Sequence, residues 1–127
     1  MMDKKCLTLS EVLQLAGHGV RNWAVNGDNS LKGTVEGITI TLGSDTGLYR
    51  YQNTASCNAI FYYAKSMRGD NILASYKFSV DSLDRYERCS ARNIQEAYEN
   101  ALELASVNQE HAVAEARRVL NRVNSRR

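Results

Sequence analysis

From Ser90 to Val123 the apolar residues recur at helical spacing, and the chain holds no proline that would break the pattern. Ile94, Tyr98, Ala101 and Ala105 form one seam. Ala112 or Val113, then Ala116, Val119 or Leu120, and Val123 form a second. Ser90 reads as the N-cap, and Ser106-Val107-Asn108-Gln109 has the spacing of a capping box that would restart a helix. Residues 91–124 are therefore one long bent helix or two, and either needs apolar surface to lie on. The charges along the segment are segregated. Over Ala91–Gln109 one arginine stands against three glutamates, and over Glu110–Arg127 five arginines stand against two.

With 127 residues, 43% of them hydrophobic, the chain suits one domain over 1–127 with a real core. The net charge of +2 is mild, below the basic excess usual for a nucleic-acid-binding domain. Cys6, Cys57 and Cys89 are far apart and form no CxxC or Cys/His spacing. The expectation is no metal site and three free thiols in a cytoplasmic protein. The charged start, Met1-Met2-Asp3-Lys4-Lys5, is followed by apolar residues broken by Ser10, Glu11 and Gln14. That does not read as a signal peptide, and no stretch has membrane-spanning length.

Thr8-Leu9-Ser10-Glu11 fits a capping box, and Leu9, Val12, Leu13 and Ala16 follow on one helical face. Gly17 or Gly19 should end this short helix. Val20–Val25 reads as a short strand, and Asn26-Gly27-Asp28-Asn29 as a turn. Thr34–Leu42 is β-branched, but Val35 is out of phase with Ile38, Ile40 and Leu42, which a bulge at Gly37 would reconcile. Gly43–Gly47 reads as a hairpin connection and Leu48–Gln52 as the returning strand. Ala59–Lys65 reads as a strand, though Ser56 as a cap leaves a helix open. Arg68-Gly69-Asp70-Asn71 then makes a turn, and Ile72, Ala74, Tyr76, Phe78 and Val80 alternate as in a half-buried strand. Asp81–Cys89 is polar and irregular, with room for one helical turn.

The candidate functional residues are few. Arg118 and Arg122 are four apart and share a helix face, with Arg117 on its flank. Guanidinium forks match phosphates or carboxylates. The same arginines can instead complement the helix dipole or bridge to Glu96, Glu99 or Glu103. Tyr49, Tyr51, Tyr62, Tyr63 and Tyr76 fall in expected strands with Arg50 and Lys77 among them. Tyrosines so placed either stack on bases or pack as ordinary sheet residues. His18 and Asp28 could join a serine or cysteine in a nucleophilic set, but no ordering of these residues resembles one. No GxGxxG or P-loop is present, and Arg68-Gly69-Asp70 reads as a turn and not as an integrin ligand. Trp23 reads as a core anchor between the first helix and the sheet.

These readings converge on an α+β fold: a short N-terminal helix, an antiparallel sheet of about four or five strands, and one long or two C-terminal helices packed on the sheet. In general build this resembles small accessory proteins of phages and other mobile elements, at the level of fold alone. Some of those inhibit host defence by binding a protein complex, and others sequester a nucleotide signal. The expectation is a non-catalytic protein without cofactor or membrane that binds a protein partner. The alternative is a nucleotide or nucleic-acid ligand held by Arg117, Arg118 and Arg122, with Tyr49 or Tyr51 for stacking. The long seam also suits a homodimer.

Overall fold

The computed structural model describes residues 6–27, 29–50 and 56–126, without the side chains of 49, 50, 56 and 57. Helix α1 (Leu9–Gln14) opens with the capping box: the Thr8 amide donates to Glu11 Oε1 (2.8 Å), and the Glu11 amide to Thr8 Oγ1 (3.1 Å). It runs on into a wide helical turn, Leu15–Gly19, closed by the Val20 amide donating to the Leu15 carbonyl. Five antiparallel strands follow in chain order: β1 (Ala24–Val25), β2 (Ser30–Val35), β3 (Ile38–Arg50), β4 (Ser56–Arg68) and β5 (Asn71–Ser79). The final element, α2, is one continuous helix from Arg85 to Ser125. The fold is α+β, as expected.

Several boundaries differ from the expectation, each for a local reason. Only Ala24–Val25 of the segment Val20–Val25 is a strand, because Val20 and Trp23 are committed to the core. Glu36 and Gly37 both have positive φ (46° and 82°), as a two-residue hairpin turn requires. This turn replaces the expected bulge at Gly37. It also explains the phase of Val35, which lies opposite Ile38 and so shares its face. Gly43–Gly47 is no connection; β3 runs straight through it, and Leu48 belongs to β3 and not to a returning strand. Gly43 makes room for a ring. A Cβ there would fall 2.2 Å from Cζ of Tyr63, the residue opposite. The β4–β5 turn at Gly69-Asp70 stands where expected. A register shift between Ser66 and Met67 moves Ile72 out of the Ala74–Tyr76–Phe78 face, and Ile72 is exposed.

The C-terminal helix begins earlier than Ser90. Asp84 is its N-cap, accepting from the Tyr86 amide, and Arg88 donates to the carbonyls of Ser82 and Leu83. Ser90 is buried inside the helix. No restart occurs at Ser106, because the residues there continue the helix without a break.

The core is one layer thick. Leu31, Gly33, Val35, Ile38, Ile40, Leu42, Tyr62, Ala64, Ser66, Ala74, Tyr76 and Phe78 share the inner face of the sheet, as their cross-strand pairs show. Val12 and Ala16 from the first helix, Trp23, and Ile94, Ala101 and Ala105 from α2 pack against them. Trp23 is the expected anchor: 1% exposed, within the same cluster. Tyr62 and Tyr98 meet at 6.2 Å between ring centroids, and desolvation raises the Tyr98 phenol above its ordinary pKa. Helix α2 crosses all five strands from β5 towards β1.

The turn at Glu36 generates a stability prediction. A non-glycine side chain at positive φ costs about 1 kcal/mol, and asparagine tolerates that conformation better. Glu36→Asn should raise the urea midpoint by an amount equivalent to about 0.5–1 kcal/mol. An unchanged or lowered midpoint would show that the Glu36 backbone is not strained.

Candidate functional site

The body of the protein ends at Asn108. This polar residue, a little past the middle of α2, donates from its Nδ2 to the carbonyls of Arg21 (3.0 Å) and Trp23 (3.1 Å). Those two carbonyls precede the edge strand β1, so one side chain ties the helix to the rim of the sheet. Past it, none of the described residues buries the helix. Every residue from Gln109 to Arg126 is exposed. Yet this projecting half keeps the apolar pattern of the buried half. Val113, Val119, Leu120 and Val123 are 41%, 44%, 56% and 51% exposed.

An open groove lies beside the point of departure. Trp23, Val25, Leu102, Ala105 and Ala112 give it an apolar lining, with Arg21, Asn22 and Gln109 among its polar members. Val25 is 69% exposed on the edge strand. An isolated helix of some 17 residues rich in valine is marginal in water, because nucleation is costly and β-branched side chains lose rotamer freedom.

The expected site residues fall out as follows. Arg117, Arg118 and Arg122 all lie on the projecting half and are exposed. Arg118 is paired with Glu115 one turn away. Glu96, Glu99 and Glu103 lie on the half that crosses the sheet, so the helix carries its acidic and basic ends well apart. The backbone of Tyr49 pairs with Cys57 in the β3–β4 ladder, while its side chain and all of Tyr51 lie outside the described residues. His18 is exposed at the end of the first helical segment, and Asp28 lies outside the described residues. Cys6 and Cys89 are free and exposed.

A second surface was legible in the sequence only in part, through Tyr63 and Lys77 among the strand tyrosines and basic residues. The sheet face turned away from α2 carries Phe61 and Tyr63, two residues apart on β4, together with Lys32, Lys65 and Lys77. The Tyr63 ring lies over Gly43, and the Phe61 ring touches the space above Gly47. Lys77 Nζ stands 5.2 Å from the Phe61 centroid and 2.9 Å from Asp45 Oδ2. That lysine's hydrogen bond, then its charge, hold the Asp45 carboxyl below its ordinary pKa. The glycine–aromatic pairing depends on register, which the sequence does not display.

The described residues contain no group of three or more potential metal ligands, and no helix long and apolar enough to cross a membrane. The chain matches no protein-family model, no curated protein and no solved structure.

The Asn108 clamp is open to a direct test. Asn108→Ala removes two hydrogen bonds and leaves two carbonyls to find other partners, a loss of about 1–3 kcal/mol. Thermal or urea unfolding followed by Trp23 fluorescence should show it. A variant as stable as the parent would mean that the helix is held to the rim by packing alone.

Proposed function

We propose that this chain is a small non-catalytic interaction protein that docks on another protein through the projecting half of α2. The observation that carries the reading is the bare stripe Val113–Val123 beyond Asn108, continued by the groove at Trp23, Val25 and Leu102. Burying such a stripe removes apolar surface from water and offsets the cost of ordering the helix end. The charged residues flanking it, Arg117 and Arg122 among them, select the partner by complementarity. A protein of this kind acts by occupying a surface, as an inhibitor or an accessory subunit does. Truncation after Gln109 tests it. The removed residues touch nothing in the core, so the melting temperature should hold, while associations seen by native mass spectrometry should vanish. The purified chain is compared with the truncated one, alone and after incubation with an extract of the cells that make it. A truncated chain that keeps every association of the full chain overturns the reading.

A second reading, a single-stranded nucleic-acid ligand, is supported by the outer sheet face. Two aromatic rings on one strand beside Lys32, Lys65 and Lys77 are the ingredients of a base-stacking platform with phosphate contacts. Binding of a labelled oligonucleotide, followed by anisotropy, should weaken about tenfold with Tyr63→Ala and fall as salt rises. Absence of binding at low salt rejects this reading and leaves the first untouched.

A further inference from the structure

We infer that the partner seated on the bare stripe is a second copy of this chain, with the two projecting halves antiparallel and a two-fold axis near His111. The inference rests on the reading of the projecting half as an interface, and goes on to name its occupant and register.

The pattern of the stripe comes first. Leu102, Ser106, Gln109, Val113, Ala116, Leu120 and Val123 are separated by alternating steps of four and three residues. That is the 3.5-residue repeat by which two helices pack along a shared seam. Ser106 and Gln109 are exposed, as is each of the larger apolar members. The seam therefore belongs to a helix–helix contact outside the body, and not to the sheet. From Leu102 to Val123 it extends about 33 Å at 1.5 Å per residue, enough for three heptads.

The charges then choose the occupant. The acidic stretch of α2 precedes the basic one in the same helix, so a second copy running the opposite way presents basic against acidic at both ends. In the register centred on His111, Leu102 faces Leu120 of the second copy, Ser106 faces Ala116, and Gln109 faces Val113. Each contact occurs twice by symmetry, as a two-fold interface requires. Glu96, Glu103, Glu110 and Arg117 line one flank of the seam at seven-residue intervals. Antiparallel helices pair like flanks, which sets Glu103 beside the second copy's Arg117, again twice. Glu110 meets its own copy at the solvated rim near the axis, and the two attractive pairs outweigh that repulsion. A parallel pair would instead set this charged flank against the other flank, Tyr98, Ala105, Ala112 and Val119, and leave Glu103 and Arg117 without a charge partner across the seam.

The groove completes the fit. Its apolar lining, Trp23, Val25, Leu102, Ala105 and Ala112, runs along the other flank of the same seam. In the stated register the second copy's Val119 falls opposite Ala105, on the Val25 side of α2. The stripe left bare by one body is thereby covered partly by the other body's helix and partly by its sheet edge.

Sedimentation equilibrium of the full chain from 1 to 100 µM provides the test, with charge exchange setting the register. The expected result is a mass twice that of one chain. Glu103→Arg alone and Arg117→Glu alone should each weaken the dimer at least tenfold, and the two together should restore it. Val113→Asp with Leu120→Asp should give a monomer whose near-ultraviolet Trp23 signal is that of the parent, showing an intact core. A monomer at 100 µM overturns self-pairing, and the interface reading then stands or falls separately on the truncation experiment. A dimer that the exchanged pair fails to restore overturns the antiparallel register. A dimer indifferent to the two aspartates overturns both the register and the projecting half as interface.

Discussion

Five strands about 4.8 Å apart make a sheet about 20 Å from edge to edge, while a 41-residue helix is about 60 Å long. Even on a diagonal course, such a sheet covers little more than half of such a helix. The mismatch between these two lengths organises the molecule. Everything up to Asn108 is governed by burial against the sheet: small residues where the helix comes close, Ala91, Ala101 and Ala105, and Ile94 where there is room. Beyond it, every residue from Gln109 to Arg126 is exposed to solvent.

The inner sheet face explains why the crossing works. Its centre is built from Ile40, Leu42, Ala64, Ser66 and Ala74, mostly small on β4 and β5 and larger on β3. The small residues let the helices approach closely. Their cost is one buried hydroxyl, that of Ser66, without a hydrogen-bond partner among the described residues. The outer face follows other rules. It carries Thr39, Thr41, Lys65 and Lys77 alongside the two rings of β4, so polar groups of the neighbouring strands surround the aromatic pair. The two faces of one meander thus have separate chemistry, and either can evolve without disturbing the other.

The projecting helix half and the groove share one edge of the sheet, the short strand β1. A two-residue edge strand leaves little backbone for unwanted strand pairing. Val25 on this strand stands open at the groove beside α2. The arginines of this half are mostly solvated, and the Arg118–Glu115 pair within one turn is the kind of surface ion pair that adds little stability.

The α+β class, the capped first helix, the Gly69-Asp70 turn, Trp23 as anchor and the helical C-terminal third were legible in the residue pattern. Each rests on local spacing: a Thr-x-x-Glu box, a polar turn, a 3.6-residue period. The strand boundaries around Gly37 and Gly43–Gly47 were not legible, because a glycine written in sequence looks the same in a turn, in a bulge and under an aromatic ring. Cross-strand register alone showed that Glu36-Gly37 turns the chain and that Gly43 lies beneath Tyr63. The seam of α2 was visible as a period, but which half is buried was not. Periodicity reports that a face is apolar; only the width of the sheet decides how much of that face is covered.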